Sequence, residues 1–297
     1  MSNIHVLVNP DAGRGRGSSR ADAAIARLRG RGLDPVVVAG DSPEDSRRLA
    51  AESVAARPDA LVIVGGDGTL SSVIDVLEGS GIPIVLVPAG TGNDLARSLG
   101  IPYGSDEAAA RAVDAAIDGV LQSLDIGQAI SPDGAAHFLT IAALGFDAKV
   151  SDRTNRLRWP RGRARYYLAL LIELVRLTPM RFAVRVDGVD APIADGTLIA
   201  VGNTSSYGGG MPVCPDADPH DGLLDVTHVP PIGRLRLLRL FPRLLKGTHV
   251  QLPQVTTMRC TEIEVSAPGL VVYADGERIG SGTARIRVIP GALRILL

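Results

Sequence analysis

The first hundred residues alternate short apolar, β-branched runs with stretches whose apolar positions recur at helical spacing. Ile4–Val8, Pro35–Val38, Leu61–Val64 and Ile82–Val87 read as strands. Helices are predicted from about Ser18 to Arg31, after Ser42-Pro43-Glu44-Asp45, from Leu70 and from Leu95. The second of these opens with a capping serine, proline at the first helical position and acids in the first turn. Repeated strand–helix units predict a mostly parallel sheet covered on both faces, with ligands gathered at the C-terminal strand ends. Three Gly-rich or polar turns, at residues 9–17, 65–69 and 88–94, each follow a strand and are expected to line one site.

After an alanine-rich helix from Ser105 to Gly119 and a leading segment Gln122–Gln128, the pattern changes. Short strand-like runs appear at Phe138–Ala143, Phe182–Val186, Leu198–Val201, Leu224–Val229, Glu262–Ser266, Val271–Tyr273, Arg285–Val288 and Leu293–Leu296, separated by Gly, Pro and Asp. Val186-Asp187-Gly188-Val189 and Ala274-Asp275-Gly276-Glu277 carry hairpin signals. The pattern predicts an α/β domain over residues 1–126 and a mainly antiparallel β-sandwich over residues 127–297. Two helical inserts interrupt the sandwich. The first, about Asn155–Thr178, holds Arg156, Arg158, Arg161, Arg163 and Arg165 around Trp159. The second, about Ile232–Lys246, mixes Arg234, Arg236, Arg239, Arg243 and Lys246 with leucines and contains no acid. Such helices suit an anionic lipid surface, or else close the domain core with their arginines solvated.

Composition sharpens this picture. Residues 1–150 carry 12 basic and 19 acidic side chains and the remainder 19 and 13, so the halves face different partners. Arginine supplies 29 of the 31 basic residues, leaving Lys149 and Lys246 as the only lysines available to a mechanism. Cys214 and Cys260 lack metal or redox spacing, which favours a reducing, cytoplasmic setting. The N-terminus shows no secretory pattern, and the apolar tract Tyr166–Leu177 is too short to span a bilayer. Aromatic residues at 3% offer few stacking platforms, which argues against nucleic acid.

The densest chemistry lies in Leu61–Thr69, four strand residues running into Gly65-Gly66-Asp67-Gly68-Thr69. Glycines let main-chain amides and a helix N-terminus approach anionic oxygens, so the turn reads as a phosphate seat, against the simpler reading of a tight turn. No Gly-Lys pair exists, which excludes a Walker loop, and neither lysine follows a Gly-rich loop as a protein kinase requires. Gly13-Arg14-Gly15-Arg16-Gly17 misses the dinucleotide fingerprint because Ser18 stands where its third glycine would fall. No Gly-x-Ser-x-Gly or His-Glu-x-x-His sequence is present.

Gly65–Thr69 together with Pro88-Ala89-Gly90-Thr91-Gly92-Asn93-Asp94-Leu95-Ala96-Arg97 resembles the diacylglycerol kinase catalytic family, the lipid kinases that include sphingosine kinases and bacterial soluble lipid kinases. Asn9-Pro10-Asp11-Ala12-Gly13 fits that family's opening loop, and the resemblance extends through Asp125, Asp216–Asp225 and Asp275-Gly276-Glu277. It implies a phosphofructokinase- or NAD-kinase-like α/β domain before the sandwich, and Mg²⁺-dependent phosphoryl transfer from ATP to a hydroxyl of diacylglycerol or a related lipid. By the same resemblance Asn9–Gly13, Gly65–Ser72 (Gly65, Gly66, Asp67, Gly68, Thr69, Leu70, Ser71, Ser72), Gly90, Thr91, Gly92 and Asn93 bind the nucleotide. Asp67, Asp94 and Asp125 hold or orient the catalytic metal. Asp275 and Glu277 are the candidates for general base, with Glu277 preferred. A structural Mg²⁺ is implied at the Asp218 carbonyl, the Asp221 carboxylate and the Leu223 carbonyl. One departure stands out: Ser71 and Ser72 occupy positions where the family commonly shows Asn-Glu, which removes a negative charge beside the nucleotide. The expected partner is a lipid at an anionic membrane surface, reached by peripheral association, with a homodimer left open. A kinase for a soluble acceptor such as NAD, and a nucleotide-binding regulator without turnover, are the alternatives.

Overall fold

Parallel strands form where the chain shows its β-branched runs in the computed structural model, which describes residues 3–160, 163–191 and 195–297. Two units are resolved, Met1–Ile126 with Pro290–Leu297, and Gly127–Ile289.

In the first unit β1 (Ile4–Val8) leads through an irregular turn, α1 (Ala12–Gly15), into α2 (Gly17–Gly30). Then follow β2 (Val36–Ala39), α3 (Pro43–Ala55), β3 (Ala60–Gly65), α4 (Asp67–Leu77), β4 (Pro83–Pro88), α5 (Asp94–Ser98) and α6 (Asp106–Asp118). The strand order β4-β3-β1-β2 is parallel throughout. All of β3 is buried, as a central strand covered on both faces must be. Ser42 and Ser105 cap α3 and α6, each hydroxyl accepting the amide three residues on. The last residues of the chain, read in the sequence as sandwich, belong to this unit: Arg294 and Ile295 pair in parallel with Pro83 and Ile84 of β4. The apolar edge of β4 explains the difference, because Leu293 and Ile295 become fully buried by adding a strand there.

The second unit continues with β5 (Leu121–Ser131), β6 (Gly134–Phe138), β7 (Ile141–Gly145), α7 (Phe146–Arg156), α8 (Arg163–Val175), β8 (Met180–Arg181), β9 (Ala183–Val186), β10 (Val189–Asp190), β11 (Asp195–Gly196), β12 (Leu198–Gly202) and β13 (Leu224–Val229). After α9 (Arg234–Leu244) come β14 (Thr256–Cys260), β15 (Glu262–Ser266), β16 (Val271–Ala274), β17 (Glu277–Ser281) and β18 (Ala284–Leu296), the strand whose last residues belong to the first unit. The strands β14-β13-β12-β7-β16-β17 form an antiparallel sheet. Ile199 and Val201 of β12 pack with Phe138, Ile263, Val265 and Ile286 in a core between layers. Leu198 and Ala200, on the opposite face, pack with residues of α7, α8 and α9. A strand buried on both faces carries no polar alternation, which is why Leu198–Val201 reads as an unbroken apolar run. Both expected hairpin turns form, with Asp187-Gly188 and Asp275-Gly276 at positive φ.

Three predicted elements differ. The helix expected over Asn155–Thr178 is α8 alone, starting only at Arg163, while an unexpected helix, α7, ends at Arg156, with Arg161 outside the described residues. Phe138–Ala143 is broken between β6 and β7 at Leu139-Thr140. The two runs Arg285–Val288 and Leu293–Leu296 are one strand, β18.

Candidate functional site

The turn after β3 is tighter than its sequence suggests. Gly66 occupies the capping position and Asp67, Gly68 and Thr69 already form the first turn of α4. The other two turns meet it. Asn9 donates its amide to the Val64 carbonyl at 3.0 Å and its side-chain Nδ2 to Thr69 Oγ1 at 2.9 Å, while its Oδ1 accepts the Asp11 amide at 3.1 Å. From the third turn, the Ala89 amide donates to the Gly65 carbonyl at 2.8 Å. Gly66 and Gly90 bring their main chains into direct contact, and a Cβ on Gly90 would lie 2.5 Å from the Gly66 Cα. These glycines are therefore required by the backbone crossing itself.

Gly68 is different. It is exposed, its φ is not positive, and an added Cβ would meet nothing within 4 Å. In a helix such a glycine costs about 1 kcal/mol relative to alanine. The fold makes no steric demand for glycine at this position.

Asp67 spans the second and third turns: its carboxylate accepts the Asp94 amide at 3.0 Å and the Leu95 amide at 3.3 Å, capping α5 from outside. Asn93 adopts a left-handed conformation, and its Nδ2 donates to the Gly90 carbonyl at 3.1 Å. Its buried Oδ1 has no hydrogen-bond partner among the described residues, a cost tolerated when a ligand or water completes the site. Thr91 is exposed beside it. Ser72 donates its hydroxyl to the Thr69 carbonyl at 2.7 Å, so it serves the helix where the related pattern carries an acid. Asp125, also in this unit, is buried and accepts the Gly291 amide at 2.7 Å, holding the bend of the final strand.

In the second unit Asp275 sits at the β16–β17 hairpin, and its carboxylate accepts the Leu139 amide at 2.7 Å, the Thr140 amide at 2.9 Å and the Thr140 hydroxyl. It bridges the break between β6 and β7. Its two oxygens are thus occupied by three donors. Glu277, two residues on, is exposed at the start of β17 and has no hydrogen bond or ion pair among the described residues. At the loop before β13, Asp218 Oδ1 accepts the His220 amide at 3.1 Å and Asp221 Oδ1 accepts the Leu223 amide at 2.9 Å. The other Asp221 oxygen pairs with Arg259, whose Nε also lies 3.3 Å from Asp225. Burial raises the Asp225 carboxyl, and Arg259 opposes that rise.

Residues 3–129 match the diacylglycerol kinase catalytic domain and residues 140–297 the YegS C-terminal NAD kinase beta sandwich-like domain. Across its full length the chain is 46% identical to a protein of Mycobacterium tuberculosis named "Diacylglycerol kinase", covering 95% of that protein. The chain belongs to the diacylglycerol kinase family. A crystal structure described as a diacylglycerol kinase from Bacillus anthracis shares the fold with a TM-score of 0.73 and 20% identity, covering 99% of this chain and 96% of that one. An Archaeoglobus fulgidus NAD kinase, solved with ATP, matches at TM-score 0.54 and 17% identity over 100% of this chain and 94% of that one.

The Mg²⁺ implied by the diacylglycerol kinase family meets two unlike environments. Among the described residues no three His, Cys, Asp or Glu side chains gather as a metal cluster, so Asp67, Asp94 and Asp125 form no preformed cage. Asp67, whose carboxylate meets the main chain of Asp94, does fit an ion that takes one or two carboxylates and completes its shell with water and phosphate oxygens. The 215–225 loop does not fit. The Arg259 guanidinium already supplies the positive charge at Asp221 there.

One feature of this diacylglycerol kinase relative escaped the sequence reading. An apolar cavity of about 130 Å³ lies in the second unit among Phe146, Tyr166, Leu174, Leu198, Met211 and Phe241, with Asp147 on its wall. Tyr207 donates a hydrogen bond to Asp147, and burial pushes the Asp147 carboxyl up to about 6. The apolar positions of α8 and α9 were the available signal, and they fit a closed core equally well.

Proposed function

We propose that the protein is an ATP- and Mg²⁺-dependent lipid kinase that phosphorylates a hydroxyl of diacylglycerol or a closely related lipid. The observation that carries the nucleotide assignment is Gly68, a helical glycine that the fold does not require, placed where three turns meet. On this reading the β- and γ-phosphates lie against the first-turn amides of α4, with Thr69, Gly90, Thr91 and Asn93 around them. Mg²⁺, when bound, would neutralise phosphate charge, and Asp67 and Asp94 would hold it. Positioning and electrostatics carry most phosphoryl transfer, so a site without lysine remains competent.

Glu277 is the general base: its carboxylate takes the proton of the acceptor hydroxyl as that oxygen bonds to the γ-phosphorus and ADP departs. Asp275 positions the hairpin that carries it. The name shared by the M. tuberculosis relative supports a diacylglycerol acceptor, and the apolar cavity in the second unit supports a chain-bearing one. Exposed Trp159, Leu235, Leu238 and Leu245 support peripheral membrane association.

The test is an acceptor panel with γ-labelled ATP, read by thin-layer chromatography and mass spectrometry. Label is expected in phosphatidic acid from diacylglycerol, dependent on Mg²⁺ and lost in Asp67→Ala. Label in NADP from NAD, with none in lipid, overturns the lipid reading in favour of a soluble acceptor. ATP binding without transfer to any acceptor identifies a regulator instead.

A further inference from the structure

Many arginines among the described residues pair with carboxylates. In the first unit Arg20, Arg27, Arg31, Arg47 and Arg48 each pair with a carboxylate, and Arg153, Arg259 and Arg285 do so in the second. Helix α9 gathers three that do not. It contains no acid, and the guanidinium groups of Arg236, Arg239 and Arg243 have no ion pair or hydrogen bond among the described residues. At about 100° per residue these three fall within roughly 60° of one another, a stripe beside the buried positions Leu237, Leu240 and Leu244. Leu235, Leu238 and Leu245 occupy the other exposed flank.

The stripe does not project from a flat surface. Arg236, Arg239 and Arg243 line one concavity of about 520 Å³, walled by Pro230, Pro231 and Gln254 and lacking any Asp or Glu. Three like charges converging on a recess repel one another unless an anion joins them. Guanidinium forks match phosphate oxygens in shape as well as charge. Gln254 adds an amide donor at the rim, and the prolines supply a rigid wall with no amide hydrogen of their own.

We propose that this recess is a binding site for a phosphate-bearing headgroup, separate from the three-turn nucleotide site. The site takes the phosphate of an anionic phospholipid while the leucine flank of α9 enters the adjoining apolar layer. It adds to the lipid-kinase reading a headgroup preference at the membrane, and it is tested by binding alone, so its failure is distinguishable from a failure of catalysis.

The full-length protein is mixed with phosphatidylcholine vesicles containing phosphatidic acid, or containing oleic acid at matched surface potential, and binding is read by flotation. Phosphatidic acid vesicles are expected to bind at least fivefold more tightly than oleate vesicles. The triple variant R236Q/R239Q/R243Q loses about fivefold per arginine, roughly a hundredfold in all. Circular dichroism of the variant excludes misfolding, and R236K/R239K/R243K, which keeps the charge without the fork, is expected to lose the preference for phosphatidic acid over oleate. Glycerol 3-phosphate distinguishes the sources: competition against vesicles shows that the site accepts a free phosphate monoester, and its absence shows that the lipid-borne group is required. Equal binding to oleate and phosphatidic acid vesicles, or wild-type binding by a folded R236Q/R239Q/R243Q variant, overturns the proposal.

Discussion

Gly68 and Gly90 lie in consecutive turns and answer to different demands. Gly90 is fixed by its contact with Gly66, so a side chain there disturbs the fold. Gly68 faces open space at the start of α4. Gly68→Ala is therefore expected to leave the melting temperature unchanged or raise it, in line with up to about 1 kcal/mol of helix propensity. The same variant is expected to weaken Mg-ATP binding at least tenfold by calorimetry; unchanged affinity would remove the ligand explanation for this glycine. The residue pattern showed the glycine cluster but not this division of labour, which depends on what each Cβ would touch. Asp275 and Glu277 are a parallel case. Both sit in one hairpin and sequence spacing treats them alike, yet the Leu139-Thr140 break consumes the first and leaves the second exposed. No local signal announces that break, because it is stabilised by a carboxylate more than a hundred residues away.

At the scale of elements, the α/β alternation was legible because β1, β3 and β4 are buried and because α3 and α6 begin with capping serines. The β5 and β14 strands were not picked out, since Leu121–Ser131 and Thr256–Cys260 mix exposed and buried positions with few β-branched runs. The start of α7 holds a testable consequence of burial. Asp147, in its first turn, is raised from 3.8 to about 6 by desolvation, with the Tyr207 hydrogen bond opposing the rise. The folded state thus keeps its proton to higher pH than the unfolded chain. This group's contribution is complete below pH 4 and is lost as pH rises through 6. Asp147→Asn keeps an acceptor for Tyr207 and does not titrate. Its stability relative to wild type is expected to increase by roughly 2–3 kcal/mol between pH 4 and pH 7 in urea denaturation. A constant difference across that range would show that Asp147 ionises freely in the folded protein.

For the whole molecule, the chain's end is the least expected feature. Leu293 and Ile295 are buried in the first unit, Arg294 and Ile295 pair with β4, and the Gly79 amide reaches the Ala292 carbonyl at 3.1 Å. Removing Pro290–Leu297 deletes two fully buried side chains, each worth about 2–3 kcal/mol, from a unit whose total stability is of the order of 5–15 kcal/mol. Truncation after Ile289 is expected to abolish hydrogen-exchange protection over β3 and β4; protection retained at wild-type level would show that the tail is dispensable. Sequence periodicity marked this segment as a strand but carried no information on which sheet receives it. The central proposal is that Glu277 takes the acceptor proton during phosphoryl transfer. The most direct measurement is the rate of γ-phosphate transfer from saturating ATP to diacylglycerol in mixed micelles by wild type and Glu277→Gln. The account predicts transfer by wild type and a loss of about a hundredfold or more in the variant, while no transfer by wild type, or an equal rate in Glu277→Gln, would contradict it.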